Sequence, residues 1–137
     1  MKLFLDANIL VSVLNKEYPL FTYSSRLVSL ADNSRFKVFT TPICLAIAFY
    51  FSEKKSGRES AKEKIRILSG KLQIAPVDKN VVVKTSNDKT ILDFEDGLEY
   101  YAAIQAGCKC IITEDVNDFH FSKIDVLNAN QFLEMHF

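Results

Sequence analysis

Lys2-Leu3-Phe4-Leu5-Asp6-Ala7-Asn8 is the stretch on which the fold turns. A short apolar run that ends abruptly in an acid and a turn reads as a buried parallel strand meeting a helix. Downstream, Ile9, Leu10, Val13 and Leu14 recur at helical spacing until Pro19 breaks the helix. A second helix carries Phe21, Leu27, Val28, Leu30 and Ala31 on its apolar side, and Asp32-Asn33-Ser34 is a turn cluster. Residues 36–41, rich in aromatic and β-branched side chains, predict the next strand.

Further out, the alternation continues. Pro42 suits the first position of a helix capped by Thr41, and the segment from Ile43 to about Ser52 is apolar almost all round, which predicts a largely buried helix. Glu53-Lys54-Lys55-Ser56-Gly57 reads as a solvated connection, and residues 58–69 as a basic amphipathic helix with Ala61, Ile65 and Leu68 inward. A strand at 72–75, a helix near 78–87, a helix from Glu95 to Ala106 closed by Gly107, and a strand at 110–113 follow. Asp125-Val126-Leu127 is an edge-strand candidate before a closing helix. Strands alternating with helices predict an α/β domain spanning 1–137, its parallel sheet covered on both faces.

Composition bounds the function. The 137 residues carry 17 basic and 17 acidic side chains, so no global positive field recruits nucleic acid. Contact with RNA has to come from a local patch or from bound cations. Cys108 and Cys110 flank a single lysine, too tight for a common zinc pair; with Cys44 they read as buried reduced thiols. No apolar run approaches the ~20 residues that cross a bilayer, and no signal-peptide region precedes Asp6, so the expected setting is cytoplasmic.

Three segments carry acids where a parallel sheet collects ligands, beyond the carboxyl ends of its strands. Asp6 follows the first strand, Asp93, Glu95 and Asp96 open a helix, and Glu114, Asp115 and Asp118 follow the strand at 110–113. Singly, each reads as a helix cap or a first-turn acid facing the macrodipole. Together they repel: two carboxylates ~4 Å apart cost ~4 kcal/mol at an effective dielectric of 20. A hard divalent ion, Mg²⁺ or Mn²⁺, is the compensating charge that oxygen ligands favour, and it can activate water for attack at phosphorus.

Residues 3–10, Leu-Phe-Leu-Asp-Ala-Asn-Ile-Leu, resemble the opening strand and D-x-N turn of PIN-domain proteins. Residues 93–103, Asp-Phe-Glu-Asp-Gly-Leu-Glu-Tyr-Tyr-Ala-Ala, are similar to that family's third acidic motif, and 111–119, Ile-Ile-Thr-Glu-Asp-Val-Asn-Asp-Phe, to its closing motif. The resemblance implies a three-layer α/β/α fold with a central parallel sheet of four or five strands. It also implies a Mg²⁺- or Mn²⁺-dependent endoribonuclease of the VapC toxin–antitoxin type. On that reading Asp6, Asp96 and Asp115 are metal ligands, Asp118 is a further catalytic acid, and Asn8, Asp93, Glu95 and Thr113 support them. RNA is the implied substrate, and an antitoxin-like protein and a second copy in a homodimer are the implied partners.

The resemblance has one gap. The family's second acid, usually a glutamate, sits on the helix after the second strand, and here Thr41 to Phe51 contains no carboxylate; the position falls at Ala46 or Ile47. A missing ligand weakens such a site, which leaves a catalytically impaired PIN module binding RNA or a protein as the alternative. Lys54, Lys55, Arg58, Lys62, Lys64 and Arg66 form the basic concentration, either a solvated face or a phosphate-contacting rim. Phe49, Tyr50 and Phe51 read as packing residues, while His120 and His136 have no partners at metal-ligand spacing.

Overall fold

Why β1 ends up central follows from its composition. In the computed structural model, which describes residues 1–137, strand β1 (Lys2–Leu5) has Leu3, Phe4 and Leu5 fully buried. A strand apolar on both faces has to be flanked by strands and covered by helices. It pairs in parallel with β2 (Lys37–Thr40) on one side and β4 (Cys110–Ile112) on the other. The edges are β3 (Gln73–Ile74) and β5 (Asp125–Leu127), giving the all-parallel order β3-β2-β1-β4-β5.

Helices α1 (Ala7–Asn15), α2 (Phe21–Ser29), α3 (Pro42–Ser56), α4 (Arg58–Lys71), α5 (Lys79–Asn87), α6 (Phe94–Ala106) and α7 (Ala129–His136) surround this sheet. The result is the expected three-layer α/β/α arrangement with five strands. The chain builds outward from β1 through β2 to β3, then returns to β1's other side to place β4 and β5. The order therefore reverses between β1 and β4, and a crevice opens beyond their carboxyl ends.

Local signals explain most boundaries. Thr41 caps α3 through a hydrogen bond from the Cys44 amide, with Pro42 at the first position. Gly107, at φ 85°, closes α6 in the left-handed conformation that glycine adopts without a Cβ penalty. Gly97 answers a different need: a Cβ there would lie 2.5 Å from the Thr85 methyl and 2.7 Å from Ile91 Cγ2, so α6 approaches α5 and the following loop only without one.

Two expectations about α3 need correction. The helix does not stop near Ser52; it runs through the supposed connection to Ser56. Lys54 and Lys55 in its last turn favour that end of the helix dipole, and Lys55 Nζ also reaches the Asn15 carbonyl at the end of α1. Nor is α3 largely buried. Only Cys44, Ala48 and Ser52, a stripe at four-residue spacing, are buried, while Tyr50 is 51% and Phe51 45% exposed.

The basic segment is mostly committed to structure. Lys64 Nζ donates to the Leu14 carbonyl at 3.1 Å, so two lysines satisfy the carbonyls that end α1. Arg58 pairs with Glu53, Arg66 with Glu63, and Lys54 stands over the Tyr50 ring. All three cysteines are free and buried, as expected. His136 stacks on Phe132.

Candidate metal centre

The buried hydroxyl of Thr113, just past β4, organises the crevice. It donates to Asp6 Oδ2 at 2.8 Å and accepts from the Asn8 side-chain amide at 3.1 Å and the Asp115 N–H at 3.0 Å. The other oxygen of Asp6 accepts the Ala7 N–H that begins α1. Asp6 thus caps α1 and borders the crevice at once. Asn8 completes the tie between the two strand ends: it donates to Asp115 Oδ2 and accepts from the Glu114 N–H.

From the opposite wall, α6 contributes its first turn. Asp93 caps the helix by accepting the Asp96 N–H at 3.0 Å, which leaves Asp96 one turn inside. Asp118, on a 3-10 turn over Val116–Phe119, closes the third side. Asp6, Asp96, Asp115 and Asp118 all line one cleft of about 580 Å³, together with Asn8, Asp93 and Glu95. Every site residue read from the sequence except Thr113, which lies buried just behind, therefore borders this space. Glu114 borders it too, but its carboxylate accepts the Ala129 N–H and so caps α7.

The sequence reading missed Glu99. It sits one turn beyond Asp96 on α6, only 1% exposed, and borders the same cleft. Residues at i and i+3 share a helix face, so a glutamate three after Asp96 was a signal available in the sequence. The Cys44 thiol of α3 donates to Glu99 Oε1 at 3.0 Å. Ligand atoms of Asp6, Cys44 and Glu99 lie within 4.8 Å of one another.

Nine of the fifteen cleft residues are Asp or Glu, and none is Lys, Arg or His. A chain of zero net charge has concentrated its acids in one place. The electrostatic consequence is direct. Burial, followed by the charges of Asp93, Asp6, Asp118 and Glu95, pushes the Asp96 carboxyl up to about 7. Burial and then the Asp6 carboxyl beside it push Glu99 up to about 11, against a smaller lowering by the Cys44 thiol. Glu95 is raised by burial and by Asp93 and Asp6, and the Cys44 thiol is raised by burial, Glu99 and Asp6. Oxygen donors crowded this closely, without a counter-charge, are the donor set that hard divalent cations take.

A family model described as PIN domain matches residues 2–117. The chain belongs to the PIN-domain family. Among curated PIN proteins it is similar to Ribonuclease VapC1 of Aquifex aeolicus, 29% identical over 140 residues that cover 97% of this chain and 94% of the relative. Among solved structures, the fold resembles VapBC-1 of nontypeable Haemophilus influenzae, with a TM-score of 0.73 at 15% identity over 95% of this chain and 99% of that one. It also resembles Rickettsia felis VapBC2 bound to a promoter DNA fragment, with a TM-score of 0.70 at 22% identity over 93% and 98%. VapC20 of Mycobacterium tuberculosis, described as a sarcin–ricin-loop-cleaving toxin, gives 0.70 at 15% identity over 90% and 98%.

Within this PIN fold the gap on α3 can be placed. Ile47 borders the cleft, whereas Ala46 is exposed and does not. An acid approaching from α3 would come from position 47, where this chain has an aliphatic side chain. No helix of the protein is long and apolar enough to cross a membrane.

Proposed function

We propose that the protein is a divalent-metal-dependent endoribonuclease of the VapC type. The single observation that carries this reading is the convergence of Asp6, Asp96, Asp115 and Asp118, from three separate segments, on one cleft without a cation. Asp6, Asp96 and Asp115 would hold Mg²⁺ or Mn²⁺, with Asp118 an additional acid at the rim. When bound, such an ion activates water for attack at phosphorus and stabilises the charge that develops there.

The chain's own residues fix the geometry. Thr113 and the Ala7 amide hold both oxygens of Asp6, Asn8 orients Asp115, and the Asp93 cap sets the start of α6 beneath Asp96. Phe51, exposed on the cleft wall, offers ring surface on which an unstacked base can rest. With most of the basic segment engaged in helix ends and ion pairs, the reading does not depend on a phosphate rim there. An antitoxin-like protein is the partner suggested by the VapBC neighbours, and Tyr50 and Phe51 offer exposed aromatic surface for it or for a second copy. A cytoplasmic setting fits the three free thiols.

One observation favours a second reading, a PIN module that binds RNA or protein without cutting: Ile47 stands where an acid would approach. Incubation of the purified protein with structured RNA, with Mn²⁺ and with a chelator, beside Asp96→Asn, separates the two. Cleavage that needs Mn²⁺ and is lost in the variant supports the nuclease. RNA retained intact by a protein that binds it supports the module.

A further inference from the structure

A glutamate buried to 1% exposure is costly unless a cation or several donors compensate it. Glu99 has neither. Its one hydrogen-bond donor is a thiol, a weak one, and the group it hydrogen-bonds on the other side is the carboxyl of Asp6, a second acid. A glutamine or leucine would pack this position without an electrostatic penalty, so packing alone gives no reason for an acid here. The cleft gives one. Glu99 and Asp96 lie on one face of α6, one turn apart, and both border the space reached by Asp6.

The geometry points to a relocated ligand: we infer that Glu99 supplies from α6 the carboxylate that α3 lacks at Ile47, with Cys44 of α3 holding it in place. The inference rests on the metal-dependent reading above. Its two halves fit each other. The helix that lacks an acid instead contributes a hydrogen-bond donor to the acid delivered by its neighbour, and its Ile47 side chain borders the cleft as an apolar wall. Carboxylates that bind metals are themselves oriented by hydrogen bonds of this kind. Cys44 is therefore a positioning residue, and Glu99 a ligand in the same set as Asp6 and Asp96.

Calorimetric titration of Mn²⁺ into the full chain and into Glu99→Gln, with melting of both metal-free proteins, tests the assignment. The expected result is Mn²⁺ affinity reduced about tenfold or more in Glu99→Gln, with a metal-free melting temperature equal to or above that of the wild type. Wild-type Mn²⁺ affinity in a folded Glu99→Gln overturns the assignment, whether or not its melting temperature falls. Should the variant fail to fold, a crystal structure of the wild type soaked in Mn²⁺ decides instead. A Glu99 oxygen among the ligands sustains the inference, and an ion held by Asp6 and Asp96 with Glu99 outside its coordination shell overturns it. A wild type that binds no Mn²⁺ removes the metal-dependent reading and this inference together, whereas equal binding by both proteins removes only the role of Glu99.

Discussion

The side-chain amide of Asn8 donates to Asp115 Oδ2 at 3.1 Å, joining the first turn after β1 to the loop after β4. With its bonds to Thr113 and Glu114, Asn8 fixes the loop that carries three of the cleft acids. Each such bond contributes a net ~0.5–1.5 kcal/mol, less where solvent reaches it. Asn8→Ala should therefore lose about 1–2 kcal/mol in urea unfolding and bind Mn²⁺ more weakly. A loss of stability with unchanged Mn²⁺ affinity would show that Asn8 braces the fold without orienting Asp115.

Gly97→Ala places a methyl against Thr85 and Ile91 at distances no real Cβ tolerates. Overpacking of this kind costs ~1–3 kcal/mol, so the melting temperature should drop, and Asp96, the preceding residue, should shift with α6. A variant as stable as the wild type would mean that the 88–92 loop yields freely.

The metal-free protein should lose stability as pH rises. Asp96 lies near 7 in the folded chain against an ordinary 3.8, and Glu99 near 11 against 4.5, so the native state keeps protons that the unfolded chain releases. Stability then falls with pH wherever the native state binds more protons. For Asp96 that window runs from about 4 to about 7, and Glu99 extends it upward. Chemical denaturation at pH 5.5 and 8 should show the decline, Asp96→Asn should flatten it, and Mn²⁺ should restore more at pH 8. A rise in metal-free stability across that interval would contradict the uncompensated cleft.

Much of this was legible in the sequence, for identifiable reasons. Leu3-Phe4-Leu5 and Cys110-Ile111-Ile112 are apolar on both faces, so their place in a covered parallel sheet follows directly, and the acids after them fall at its carboxyl edge. The end of α3 was not legible, because Lys54 and Lys55 read as solvated charge until Asn15, 40 positions from Lys55, supplies a carbonyl for one of them. Tyr50 and Phe51 read as core because a helix apolar all round has no polar face to orient it. The burial of Glu99 is not legible locally, because its hydrogen-bond partner Cys44 is 55 residues away on another helix.

Position 47 offers a test of placement. Ile47→Glu adds a carboxylate that borders the cleft, while Ala46→Glu adds one outside it. In a Glu99→Gln background, Mn²⁺ affinity and Mn²⁺-dependent RNA cleavage should rise with Ile47→Glu, at some expense in metal-free stability, and stay unchanged with Ala46→Glu. Equal responses from the two variants would contradict the orientation of α3.

If the acids of this cleft together hold a divalent ion, Mn²⁺ must stabilise the wild type against heat and lose that effect in Asp96→Asn. A ligand that binds only the native state adds RT ln(1 + [L]/Kd), about 2.7 kcal/mol at a hundredfold excess over Kd. Millimolar Mn²⁺ should raise the melting temperature of the wild type and hardly move that of a folded Asp96→Asn. Equal shifts in the two proteins, or none in the wild type, would contradict a divalent ion held by these acids.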